Sequence, residues 1–248
     1  MERITGTMSK TRQITPDLFE KFLNRLMELV ALGKAHTEIG RGLGRDIGAD
    51  PAIANVAPVF WGTTMTAHLD TAQLIAFKLF DPRKGTMTVE YLLEHAAEIQ
   101  GSFAHATPAQ VDAIIKIARA QIANLDAPLT KIRTKRNRML AHLDPTTVQD
   151  PVSLSKQVEL TFSDLNLVLS TAGDILNELS RGFRDSMSFY DIVSADDYKN
   201  AIGLIADAKC AQIRAYEAEF GLWELLRPKK CPKDEVTKIC PPEPDPDF

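Results

Sequence analysis

Several things are scarce or missing in this chain, and each absence excludes something. Of its 248 residues only three are cysteines, Cys210, Cys231 and Cys240. They are too few and too scattered for a disulfide framework, and Cys231 and Cys240 have no neighbouring histidine to make a metal site, so free thiols are expected. No run of about 18 apolar residues occurs, so no transmembrane helix is expected. The N-terminal stretch, Met1-Glu-Arg-Ile-Thr-Gly-Thr-Met-Ser-Lys-Thr-Arg, has no apolar signal core. Both absences point to a cytoplasmic protein without a membrane role. There is no excess of positive charge either: the formal net charge is −4. That argues against coating nucleic acid in general, though not against a local RNA site. Gly40, Gly42, Gly44 and Gly48 do not follow a strand, which excludes a nucleotide-binding glycine loop. His36, His68, His95 and His105 lack partners at ligand spacing, so they are read as surface or packing residues. Neither a metal nor another cofactor is expected.

What is present is helical patterning. A hydrophobic content of 44% is ample for a core. Thr15-Pro16 reads as a helix start, followed by Leu18, Phe19, Phe22, Leu26, Leu29 and Val30 at helical spacing. The four glycines weaken the end of that stretch and Pro51 closes it. Further helices are expected over about 58–80, 88–99 and 108–124, the last capped by Thr107-Pro108. Pro128 starts another, ending near His142 because Pro145 disfavours the α conformation at Asp144. The last two span about 162–181 and 194–226, the final one opening on Ser194 as N-cap with acids behind it. No strand pattern and no internal repeat is found. The expected class is all-α, an irregular bundle of about six to seven helices. The expected organisation is a flexible N-terminus over 1–14, one helical domain over 15–227, and a disordered tail over 228–248, which holds six prolines.

The most informative stretch is Lys131-Ile-Arg-Thr-Lys-Arg-Asn-Arg-Met-Leu-Ala-His-Leu-Asp144. It opens with five basic residues in eight positions and no acid among them. On a helix, Leu129, Ile132, Met139, Leu140 and Leu143 form one stripe, with Arg136 in its middle. His142 lies roughly 120° away, on the side of Lys131, Lys135 and Arg138. An arginine on an apolar face is costly unless paired. It could bridge to a carboxylate of another helix, or it could line a cleft where the guanidinium meets a phosphate. A group that titrates near neutrality among cations suits phosphodiester chemistry.

Arg136-Asn137, a four-residue spacer, and His142 resemble the Arg–polar–spacer–His signature of HEPN domains. The wider Arg-Asn-Arg-Met-Leu-Ala-His-Leu-Asp run resembles the abortive-infection branch called AbiU-like. A second stretch is similar as well: Leu74-Ile-Ala-Phe-Lys-Leu-Phe-Asp81, a short turn, then Thr86-Met-Thr-Val-Glu-Tyr-Leu-Leu93. The resemblance covers about residues 15–215 and implies an all-helical HEPN-like fold. It implies an endoribonuclease, a toxin or phage-defence effector with RNA as substrate and an antitoxin protein as a further partner. It also implies a homodimer with a composite site. In that reading His142 transfers protons, Arg136 stabilises the phosphate, Asn137 orients the site, and Lys131, Lys135 and Arg138 hold the RNA backbone. Some members carry a tyrosine two residues after the histidine that a partner enzyme modifies. Asp144 stands there in this chain, so that regulation does not carry over. The alternative from the same resemblance is a non-catalytic HEPN module that binds RNA, a nucleotide or a protein. A helical scaffold in which Arg136 is a plain buried bridge is the third reading.

Overall fold

The computed structural model describes residues 14–49, 51–83, 85–140, 159–190 and 197–220. Among these there are eight α-helices and no strand. They are α1 (Pro16–Ala49), α2 (Pro51–Val56), α3 (Pro58–Leu79), α4 (Val89–Glu98), α5 (Pro108–Ala123), α6 (Asp126–Lys135), α7 (Phe162–Arg184) and α8 (Asp197–Phe220). A 3₁₀ turn follows α4, and a π turn over Arg136–Leu140 continues α6. The all-α class read from the sequence is the class observed. No helix among the described residues is long and apolar enough to cross a membrane.

The starts follow local chemistry. Thr88 caps α4 by accepting from the Tyr91 amide at 3.1 Å. Thr107 caps α5 in a reciprocal capping box with Gln110, with Pro108 at the first turn, where its missing N–H costs nothing. Thr161 and Asp164 form a second capping box at the start of α7. That helix ends on Asp185 in the left-handed conformation (φ 53°), which aspartate tolerates better than most residues.

Two details differ from the sequence reading. Pro51 closes one helix but also opens α2, because a proline needs no amide partner in a first turn. The glycines at 40–48 lie within α1, which runs to Ala49 just before Pro51, as read. One of them has a packing reason: a Cβ on Gly42 would lie 2.1 Å from the Tyr198 hydroxyl. The basic motif does not stay α-helical to His142, because the α-helix gives way to the π turn at Arg136.

The chain divides into two compact units. The larger, Met1–Thr37 with His68–Ile192, has a continuous core. Phe19, Leu23 and Leu26 of α1, Leu79 of α3, Leu92 and Leu93 of α4, and Leu165, Leu169, Ile175 and Leu176 of α7 are fully buried in it. Phe19, Phe103 and Phe183 form a mutual ring cluster with centroids 5.1–5.6 Å apart. The smaller unit is Glu38–Ala67 with Val193–Phe248. In it α8 packs on α2, and Tyr198 donates to Asp46 at 2.7 Å.

Candidate functional site

Two elements of the larger unit build the site. One is the second half of α3, where Asp70, Gln73 and Phe77 follow at three- and four-residue steps and so share a face, with Asp81 in the turn after it. The other is α6 and its π turn. Leu129 and Ile132 are buried and anchor α6 in the core. Arg136 stands one turn beyond Ile132 on the same side, as the stripe argument required. Past Lys135 the wider i→i+5 winding replaces the 100° step, so the stripe cannot be extrapolated from there. The side chains of Met139 and Leu140, and all of Leu143, lie outside what the structure describes.

Arg136 is half-buried. Its guanidinium carbon lies 4.8 Å from the centroid of the Phe77 ring, a cation–π distance. One of its nitrogens donates to Asn137 Oδ1 at 2.8 Å. Among the described residues no carboxylate bridges it. Asp81 feels the charge of Arg136, but its two oxygens are taken by Arg83, with Nε contacts of 3.0 and 2.8 Å. The Arg83 hydrogen bond holds the Asp81 carboxyl below its ordinary range against the opposing effect of burial, and Arg136 adds to the same shift. The guanidinium therefore sits on an aromatic face, oriented by an amide and, among the described residues, unclamped by an acid. That is a geometry suited to an incoming phosphate.

The other basic residues differ among themselves. Lys131 is bound to Asp164 at 2.9 Å, which ties α6 to the cap of α7. Lys135 lies close enough to Asp70 to oppose the effect of burial, which pushes the Asp70 carboxyl up. Arg138 is exposed. Arg133 buries its Nε, and Gln73 its Oε1, with no hydrogen-bond partner among the described residues. A buried polar atom left so costs about 1–3 kcal/mol. His142, the proposed proton-transfer residue, and Asp144 lie outside the described residues, as do Ser194, Cys231 and Cys240.

Sequence spacing missed the partners of the motif. Phe77 and Asp81 belong to the second stretch that carried the family resemblance, yet nothing local said that they would meet Arg136. The same holds for the histidines. His95 packs edge-on to Tyr91 at 4.2 Å and contacts Glu98 at 2.9 Å, a packing residue as read. His36 and His68, however, are in direct contact, Nδ1 to Nδ1, at 2.8 Å across 32 positions. That contact could not be read from their spacing in the sequence.

The family model for the HEPN family described as AbiU2 matches residues 49–201 of the 248. That span includes the face of α3, the whole of α6 and the π turn. No curated protein and no solved structure matches the chain.

Proposed function

The chain belongs to the AbiU2 family of HEPN domains, and on that premise we propose that it is a metal-independent endoribonuclease, a cytoplasmic toxin or phage-defence effector. RNA is cleaved when a 2′-hydroxyl attacks the neighbouring phosphorus. The 2′-oxygen loses its proton to a base, the P–O5′ bond breaks, and the departing 5′-oxygen takes a proton from an acid. The products are a 2′,3′-cyclic phosphate and a 5′-hydroxyl. Positive charge on the crowded phosphate lowers the barrier. His142 supplies proton transfer, Arg136 stabilises the phosphate, and Asn137 fixes the guanidinium. Lys131, Lys135 and Arg138 hold the RNA backbone. One imidazole cannot serve as base and acid in a single step. A two-fold homodimer brings two copies of His142 and Arg136 to one cleft and resolves that difficulty.

The observation that carries this reading is the state of Arg136. A half-buried guanidinium on the Phe77 ring, oriented by Asn137 and bridged by no carboxylate among the described residues, is what a phosphate site needs. It disfavours the scaffold reading, in which the same arginine would be a buried ion pair.

The test is incubation of end-labelled RNA with wild type, Arg136→Ala and His142→Ala in EDTA, with identification of the product ends. Wild type is expected to leave cyclic phosphate, and each variant to be slower by orders of magnitude while still folded. Products with 3′-hydroxyl ends, or equal cleavage by all three proteins, would overturn the mechanism. RNA binding with no cleavage by any of them would make the chain a non-catalytic HEPN module.

A further inference from the structure

From the contact between His36 on α1 and His68 on α3 we propose a second site, a bis-histidine chelate for a divalent transition metal ion such as zinc, built from two residues to which the proposed RNA chemistry assigns no role. The two Nδ1 atoms approach to 2.8 Å, with ring centroids 4.9 Å apart and planes inclined at 46°. Both residues lie in the larger unit and both are half-buried. Neither helix is short or frayed at these positions, so the two donor atoms converge from rigid supports.

The geometry is close to that of a chelate. Metal–nitrogen bonds to zinc are about 2.0–2.1 Å, so two of them at a tetrahedral angle hold their nitrogens about 3.3 Å apart. The observed pair needs to open by only about half an ångström to admit an ion, which small ring rotations supply. The protonation state is also favourable. A metal takes the neutral imidazole. Burial lowers the affinity of both rings for a second proton, and His68 adds to that effect on His36. At 2.8 Å the two Nδ1 atoms are at hydrogen-bond distance, and an ion entering between them takes the place of that bond's proton. Imidazole donors suit zinc, nickel and copper rather than magnesium or calcium.

Among the described residues no third histidine, cysteine or acid completes a cluster, so water fills the remaining positions of the ion. A two-ligand site of this kind is weaker than a structural zinc centre. Its consequence is mechanical: the ion links helices 32 residues apart in sequence and stabilises the folded state by mass action.

Zinc chloride titrated into the full-length protein, followed by calorimetry and thermal melting, tests the site. Wild type is expected to take up one zinc ion per chain and to melt at a higher temperature with it. His36→Gln and His68→Gln are each expected to weaken binding at least tenfold and to remove the thermal shift. Replacing the three cysteines by serine is expected to leave binding intact, which excludes the thiols as the source. Zinc affinity unchanged in both glutamine variants, or lost with the cysteines, overturns the proposal. So does a wild-type protein that takes up no zinc at about a hundred micromolar. In the event that a glutamine variant does not fold, the visible absorption of cobalt bound to the wild type decides. Nitrogen-ligated cobalt supports the site, and thiolate charge-transfer bands overturn it.

Discussion

Helices α6 and α7 touch one another but are built to opposite ends. α7 opens on a reciprocal capping box, buries one continuous face and closes on a left-handed Asp185. α6 opens without a side-chain cap, buries only Pro128, Leu129 and Ile132, and unwinds into a π turn after ten residues. α6 and its π turn together carry five cations, whereas α7 carries two, Arg181 and Arg184, both in its last turn. The difference separates two uses of a helix. In α7 the caps and the apolar face agree with the fold, and the helix serves stability. In α6 and its π turn local rules are broken, and the residues that break them are those that suit phosphate chemistry. Substitutions in α7 should therefore move melting temperature, and substitutions in the π turn should move activity.

The strongest test of that division is Gly173 in the middle of α7. A Cβ there would lie 2.8 and 2.9 Å from carbons of the buried Tyr190 ring and 3.4 Å from Val30 Cγ1. An aromatic ring held in the core cannot swing aside as a flexible chain end does. Gly173→Val should destabilise by about 2–3 kcal/mol, the cost of overpacking, since valine gains little helix propensity over glycine. Urea denaturation measures it. A stability loss below about half a kcal/mol would show that Tyr190 moves freely and that α7 is less tightly specified than its packing indicates.

A middle-sized effect is expected at the α7 cap. Thr161 accepts from the Asp164 amide at 3.0 Å, and Asp164 accepts in return from the Thr161 amide at 3.0 Å and from Lys131 at 2.9 Å. Thr161→Ala should cost about 0.5–2 kcal/mol. The cap also predicts a pH dependence. Burial pushes the Asp164 carboxyl up, but the Thr161 amide, Lys131 and the Thr161 hydroxyl outweigh it, so the net shift is below the ordinary value of 3.8. A depressed carboxylate contributes stability that is present above the unfolded value and lost as pH falls through the folded one. Stability of the wild type should therefore fall below about pH 4 more steeply than that of Asp164→Asn, as acid titrations of the melting temperature would show.

How much of this could be read in the sequence depends on how local the cause is. Helix starts were legible at Thr15-Pro16 and Thr107-Pro108 because capping involves residues three apart. The all-α class was legible from the spacing of apolar residues. The π turn was not, since nothing in Arg-Asn-Arg-Met-Leu forbids an ordinary α-helix. α2 was missed because proline ends and begins helices with equal ease. Arg136 and Asn137 stood out in the sequence through their motif. Their partner Phe77, the nearby Asp81, and the pairing of His36 with His68 were not, because contacts made by folding leave no fixed interval in the chain.

Lys131 is where the comparison is finest, since it belongs to the basic motif of α6 but is bound to the cap of α7. Its side chain is 38% exposed and that of Asp164 20%. An exposed ion pair of this kind is worth less than about 1 kcal/mol, so Lys131→Ala should barely change stability, the capping box itself remaining intact. Its effect on RNA should also be small. A lysine that neutralises one phosphate contributes about one unit to the slope of log affinity against log salt. Lys131 can do so only by leaving Asp164, so its removal should lower affinity and slope less than Lys135→Ala does. Binding isotherms at several salt concentrations measure both. If Lys131→Ala removes a full unit of slope and Lys135→Ala does not, RNA competes Lys131 away from the cap. The boundary between the stabilising helix and the functional one would then run through Asp164 rather than between α6 and α7.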